Sequence, residues 1–107
     1  MRPFGGQKIN FDQLRKANVA RYKDYPCDDW TLTDWGCCLA GEVGELCNLL
    51  KKLKLGKPID RAEIAKEIAD AIIYADILAE KLGFDLGQIV RDKFNEVSTR
   101  VGSKVEL

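Results

Sequence analysis

One hundred and seven residues, 46% of them hydrophobic, are enough for one domain with its own core. Seventeen basic residues balance seventeen acidic ones, so nothing in the charge suggests a nucleic-acid-coating surface or a basic face for membranes. The chain has no histidine, which removes Ser-His-Asp and Cys-His chemistry and the Glu-x-x-His signature of di-iron bundles.

Helix signals come in four blocks, with no strand-like alternation, internal repeat or low-complexity segment between them. The first helix starts at Asn10, whose side chain caps it with Gln13 three residues on. It runs to about Tyr22 with Phe11, Leu14 and Ala17 facing inward. A connection rich in turn formers and acids, residues 23–29, leads into Trp30. The second helix is predicted from Thr33 or Asp34 to Lys54, stopped by Gly56 and Pro58. Asp60 caps the third helix, with Glu63 as the second member of a capping box, and it ends at Leu82 before Gly83. Asp85 and Gln88 open the fourth in the same way, with Leu86, Ile89, Val90, Phe94 and Val97 as its apolar stripe and Gly102 as its stop. A short tail, residues 103–107, has no fixed place. The fold class is all-α.

Two acidic pairs dominate the chemistry. Glu42 and Glu45 lie three residues apart on the second helix, Glu67 and Asp70 three apart on the third, and 21 residues separate the pairs. If those helices pack antiparallel, four carboxylates converge, and their repulsion calls for a divalent cation. Their setting is apolar. Trp35, Leu39, Val43, Leu46, Leu50 and Leu53 form one stripe at about 100° per residue. Glu42 falls between Leu49 and Leu46, inside that arc, with Glu45 at its edge. An unpaired ionised carboxylate in such a place costs several kcal/mol. On the third helix Ile64, Ile68, Ala71, Ile72, Ala75, Leu78 and Leu82 share a face flanked by Glu67, while Asp70 and Tyr74 share the adjoining strip. Ile73 and Ile77 point away from it. A helix apolar almost all round is buried on more than one side, which in so short a chain favours a second copy as the cover.

Gly41 and Gly44 each cost about 1 kcal/mol relative to alanine in mid-helix, and glycine there admits a close neighbour, either another helix or a ligand. Cys27, Cys37, Cys38 and Cys47 lack Cys-x-x-Cys spacing, so a structural zinc site is not expected and they read as reduced thiols in packing or surface positions. No apolar leader core follows residues 1–6, and no stretch is long enough to span a membrane. A cytoplasmic protein is the expectation.

The run Trp35–Leu50, WGCCLAGEVGELCNLL, followed by Glu67–Tyr74, EIADAIIY, and Leu82–Leu86, LGFDL, resembles the MazG-like all-α nucleoside triphosphate pyrophosphohydrolases. That family's hallmark is E-x-x-E, a spacer, then E-x-x-D, and the likeness extends over residues 30 to 101. The resemblance implies one domain over residues 1–107, a four-helix bundle-like MazG-type fold, and assembly as a dimer or dimer of dimers. It implies cleavage of a nucleoside triphosphate to monophosphate and pyrophosphate, in the service of nucleotide-pool cleansing. It implies magnesium, with manganese as a substitute, held by Glu42, Glu45, Glu67 and Asp70.

Glu42 or Glu45 is then the group that accepts the proton of the attacking water. Trp30, in the loop before the second helix, stacks on the base or anchors the bundle end; Tyr74, one turn after Asp70, reaches sugar or phosphate. Of Lys51, Lys52 and Lys54, Lys52 projects toward the Glu45 side and the others form a solvated face. Lys93, Asn95 and Arg100 fall where relatives place phosphate- and sugar-binding side chains, although Val97 stands where some have asparagine. Asp76 and Glu80 are assigned to subunit contacts or solvent. The competing expectations are a non-catalytic helical interaction module and a same-fold phosphoribosyl-ATP pyrophosphohydrolase, a dimeric dUTPase being disfavoured by chain length.

Overall fold

The computed structural model describes residues 4–107; the expectation about a leader falls partly on residues 1–3, which lie outside them. Four helices are present, α1 (Phe11–Arg21), α2 (Leu32–Lys54), α3 (Arg61–Lys81) and α4 (Leu86–Val101), with a 3-10 turn at Tyr22–Asp24 after α1. No strand occurs among the described residues, and the protein is all-α. No described helix is long and apolar enough to cross a membrane.

Local chemistry explains the boundaries. At Asn10 both reciprocal cap bonds form with Gln13, each 2.8 Å. The second helix begins earlier than its pattern predicts, because Thr31 and Asp34 form a capping box that admits Leu32. Two expected boxes are single caps instead. Asp60 accepts from the Ala62 amide while Glu63 turns to Lys66 at 3.1 Å. Asp85 accepts from the Gln88 amide while the Gln88 side chain bonds Asp92. Gly102 ends α4 at φ +74°, a conformation that disfavours any residue with a Cβ.

The centre of the molecule is the antiparallel hairpin of α2 and α3. Trp35, 3% exposed, is its anchor. Its ring lies 5.9 Å from Tyr22, 4.6 Å from Trp30 and 6.4 Å from Tyr74, and the Lys81 ammonium stands 5.9 Å from it. On α3 the deepest residues are Asp76, Ile77 and Ala79. Ile68 and Ile72, expected on the main buried face, are 50% and 44% exposed, while Ile73 and Ile77, on the other side of the helix, line the interior. The reason is that α1 and the loop before α2 cover the side of α3 that carries Ile73 and Ile77.

A polar staple joins α1 to α3. Asp76 is fully buried; it accepts from Arg15 Nε at 3.1 Å and from Asn18 Nδ2 at 2.9 Å. Arg15 also donates to the Phe84 carbonyl at 2.8 Å, which ties in the α3–α4 turn. The assignment of Asp76 to subunit contacts or solvent is therefore corrected. Burial without a cation beside it would be costly, and Arg15 is that cation. Glu80 is half-buried, its Oε2 without a hydrogen bond and 4.0 Å from Lys81 Nζ. The inward residues of α1 are Leu14, Arg15 and Asn18, whereas Ala17 is exposed and Phe11 is 37% exposed.

The tail is also placed. The Asn95 side chain donates to the Leu107 carbonyl at 3.3 Å and accepts from the Leu107 amide at 2.9 Å, folding residues 103–107 back over α4.

One chain does not close a four-helix bundle. The helix α2 packs along α3 and along no other helix, while α4 meets only α1 and α3 among the described helices. The radius of gyration is 16.3 Å, where a compact chain of this length has about 13 Å. The accessible surface is 8342 Å², where a folded 12.0 kDa monomer exposes about 6000 Å².

Candidate metal centre

The antiparallel hairpin brings the acidic pairs together. Glu42 on α2 and Glu67 and Asp70 on α3 each present a carboxylate oxygen, and these three oxygens lie within 4.8 Å of one another. All three residues are half-buried. The i, i+3 spacing sets Glu67 and Asp70 on one strip of α3, and the hairpin register places Glu42 opposite them.

The trio is electrostatically tense. The Glu67 carboxyl is held above its ordinary value of 4.5. The first cause is a contact with Glu42 that becomes a hydrogen bond only when a proton sits between the two; burial and the charge of Glu42 follow, and Asp70 adds to them. Glu45 acts in the opposite direction, through a contact that becomes a hydrogen bond only when Glu45 carries the proton. Glu67 Oε2 is buried and has no hydrogen-bond partner. A buried anionic oxygen without a donor is an unmet electrostatic demand. Three carboxylate oxygens form a hard donor set suited to magnesium, and an orphaned oxygen among them fits a cation. Glu45 itself is exposed and stands outside the trio.

Beside the acids lies a pocket of about 370 Å³, with Asp70 shared between the two. Its aromatic lining comes from Tyr25, Trp30, Trp35 and Tyr74, and Arg21 and Cys27 complete much of the rest. Trp30 is 42% exposed and tilts at 50° to Trp35, leaving an open aromatic surface. The Tyr74 hydroxyl is pushed above its usual value by burial and then by nearby Cys38, Glu42 and Asp70, so it remains a proton donor at neutral pH. Burial foremost, then Cys37, Glu42 and Asp34, raises the Cys38 thiol, which stays protonated. The cysteines are all free.

The remaining expected contacts lie elsewhere in the single chain. Lys52 is exposed on α2, two turns beyond Glu45, and does not line the pocket. Lys93 pairs with Glu96 at 3.2 Å on the apolar groove of α4. Asn95 is occupied with the tail, and Arg100 is exposed near the end of α4. Among the described residues no atom beyond their own stretch of helix lies within 4 Å of a Cβ added at Gly41 or Gly44, so no other described element approaches them. Arg21, Tyr25 and Cys27 were not foreseen; the signal was two aromatics flanking Pro26 and Cys27 just before α2.

Comparison with protein-family models, curated proteins and solved structures returned no match to this chain.

Proposed function

We propose that this protein is a magnesium-dependent nucleotide pyrophosphohydrolase that cleaves (deoxy)nucleoside triphosphates to monophosphate and pyrophosphate. The observation that carries the reading is the meeting of Glu42, Glu67 and Asp70 oxygens beside an aromatic pocket that shares Asp70. The sequence resemblance to MazG-like enzymes supports it. Four acids alone would repel a triphosphate, and an aromatic pocket alone would hold any planar ligand. Their junction is what suits a nucleotide.

Glu42, Glu67 and Asp70 would hold the magnesium, which when bound neutralises charge on the polyphosphate and polarises the phosphoryl group. Trp30 stacks the base, backed by the buried Trp35. The protonated Tyr74 donates to sugar or phosphate. Glu45, outside the trio, has oxygens left to accept the proton of the attacking water, and it is the better base of the two glutamates first considered. Positioning and electrostatics supply the acceleration.

The reading includes assembly of copies. Roughly 2300 Å² of surface exceeds what a monomer of this mass exposes, more than one side of a standard interface. The exposed apolar residues include Val43, Leu50, Ile68 and Ile72 on the hairpin and Val90, Phe94 and Val101 on α4. A second copy covering them is how Lys93 and Arg100 would come to a phosphate chain. Those same faces favour a second reading, a helical interaction module without turnover.

Pyrophosphate release from a panel of nucleoside triphosphates, with magnesium and with chelator, separates the two. The hydrolase reading expects magnesium-dependent release that Glu42→Gln abolishes. The module reading expects no release and no rise in Tm with magnesium.

A further inference from the structure

Among the described residues Arg21 is the one cation lining the aromatic pocket, at the last position of α1. Its guanidinium stands 5.9 Å from the centre of the Tyr25 ring, within cation–π range. No carboxylate among the described residues lies within ion-pair distance of it. The one anion on the pocket wall, Asp70, belongs to the acidic trio. The charged group left to read a base edge is therefore a donor fork without a hydrogen-bond or ion-pair partner among the described residues.

We propose that Arg21 makes the pocket selective for 6-oxopurine nucleotides, reading the O6 and N7 acceptors of guanine or hypoxanthine while the base lies against Trp30. This rests on the nucleotide reading above and names the substrate class of the same site. A guanidinium presents two parallel N–H groups, and two adjacent acceptors on a 6-oxopurine match that spacing. Adenine replaces O6 with an amino donor, which faces the cation with the wrong polarity. Cytosine likewise turns an amino donor to that position, and thymine offers one acceptor where the fork needs two. The pocket volume, about 370 Å³, is near the lower end for small-molecule sites and suits a nucleoside rather than a whole triphosphate.

The experiment compares kcat/KM for dGTP, 7-deaza-dGTP and dATP in the wild type and in Arg21→Gln. 7-deaza-dGTP differs from dGTP by the loss of the N7 acceptor alone. Losing one hydrogen bond to a charged group is expected to cost about tenfold or more, with dATP at least as poor. In Arg21→Gln the ratio of dGTP to its 7-deaza analogue should collapse toward one. A ratio near one in the wild type, or one that survives the substitution, overturns the proposal. So does a uniform loss on every nucleotide in Arg21→Gln with the N7 preference intact, which would place Arg21 on phosphate. If no nucleotide is hydrolysed, the hydrolase reading fails. Base selectivity is then read by quenching of Trp30 and Trp35 fluorescence with dGMP and 7-deaza-dGMP. Tighter binding of dGMP, lost in Arg21→Gln, supports the proposal, and equal affinities overturn it.

Discussion

Glu67 carries the highest electrostatic load of any side chain in the acidic trio, because its buried oxygen has no donor and its nearest neighbours are acids. Its folded pKa lies above the ordinary value of 4.5, so between the two the folded chain binds more protons than the unfolded one. The stability this gives is fully present below the ordinary value and is lost as pH rises through the raised one. The metal-free protein should thus lose Tm on that rise, and Glu67→Gln should lose less of it. Thermal melts across pH in chelator check this; identical profiles for the two proteins would contradict it. At neutral pH Glu67→Gln should also raise the metal-free Tm by a few degrees while removing the increase that magnesium gives. Asp76 is the opposite case, a buried acid that is fully partnered by Arg15 and Asn18. Asp76→Ala should cost about 3 kcal/mol in urea denaturation, and a loss under 1 kcal/mol would show the staple to be dispensable.

At the scale of helices, boundaries were legible because caps are local chemistry. Asn10 and Gln13 satisfy each other across one turn, and Asn10→Ala should cost about 1 kcal/mol by the same denaturation measurement. Gly56, Gly83 and Gly102 all take positive φ where a helix was expected to stop. The antiparallel pairing of α2 with α3 was legible only as the condition under which the acids converge. Which face of α3 turns inward was not. A helix apolar almost all round gives no preference by periodicity, and the choice of Ile73 and Ile77 over Ile68 and Ile72 depends on where α1 lies. The stripe on α1 was misread for a related reason: its deepest residue is the polar Asn18, which no hydrophobic pattern reveals. The acids were found and the pocket only half found, because Arg21 reaches it from the end of α1 and Tyr25 and Cys27 from the irregular segment between α1 and α2.

Across the whole molecule the two halves of the surface do not match. On the pocket side Trp35 is packed under its aromatic neighbours, whereas the far side of the hairpin and α4 expose apolar residues to solvent. The proposed assembly would resolve this, and on that reading sedimentation should show a dimer or tetramer at micromolar concentration. Ile68→Asp should shift that species toward monomer, because Ile68 is half exposed in the single chain and lies on the open face. An unchanged sedimentation profile would remove that face from the interface.

The claim on which the proposed catalysis depends is that Glu42, Glu67 and Asp70 share a divalent cation. Crystals grown with manganese and a non-hydrolysable triphosphate test it directly through anomalous scattering. The expected result is a peak bonded to oxygens of all three residues, with the phosphates on its open side; manganese bound elsewhere, or none bound at saturating concentration, would contradict it.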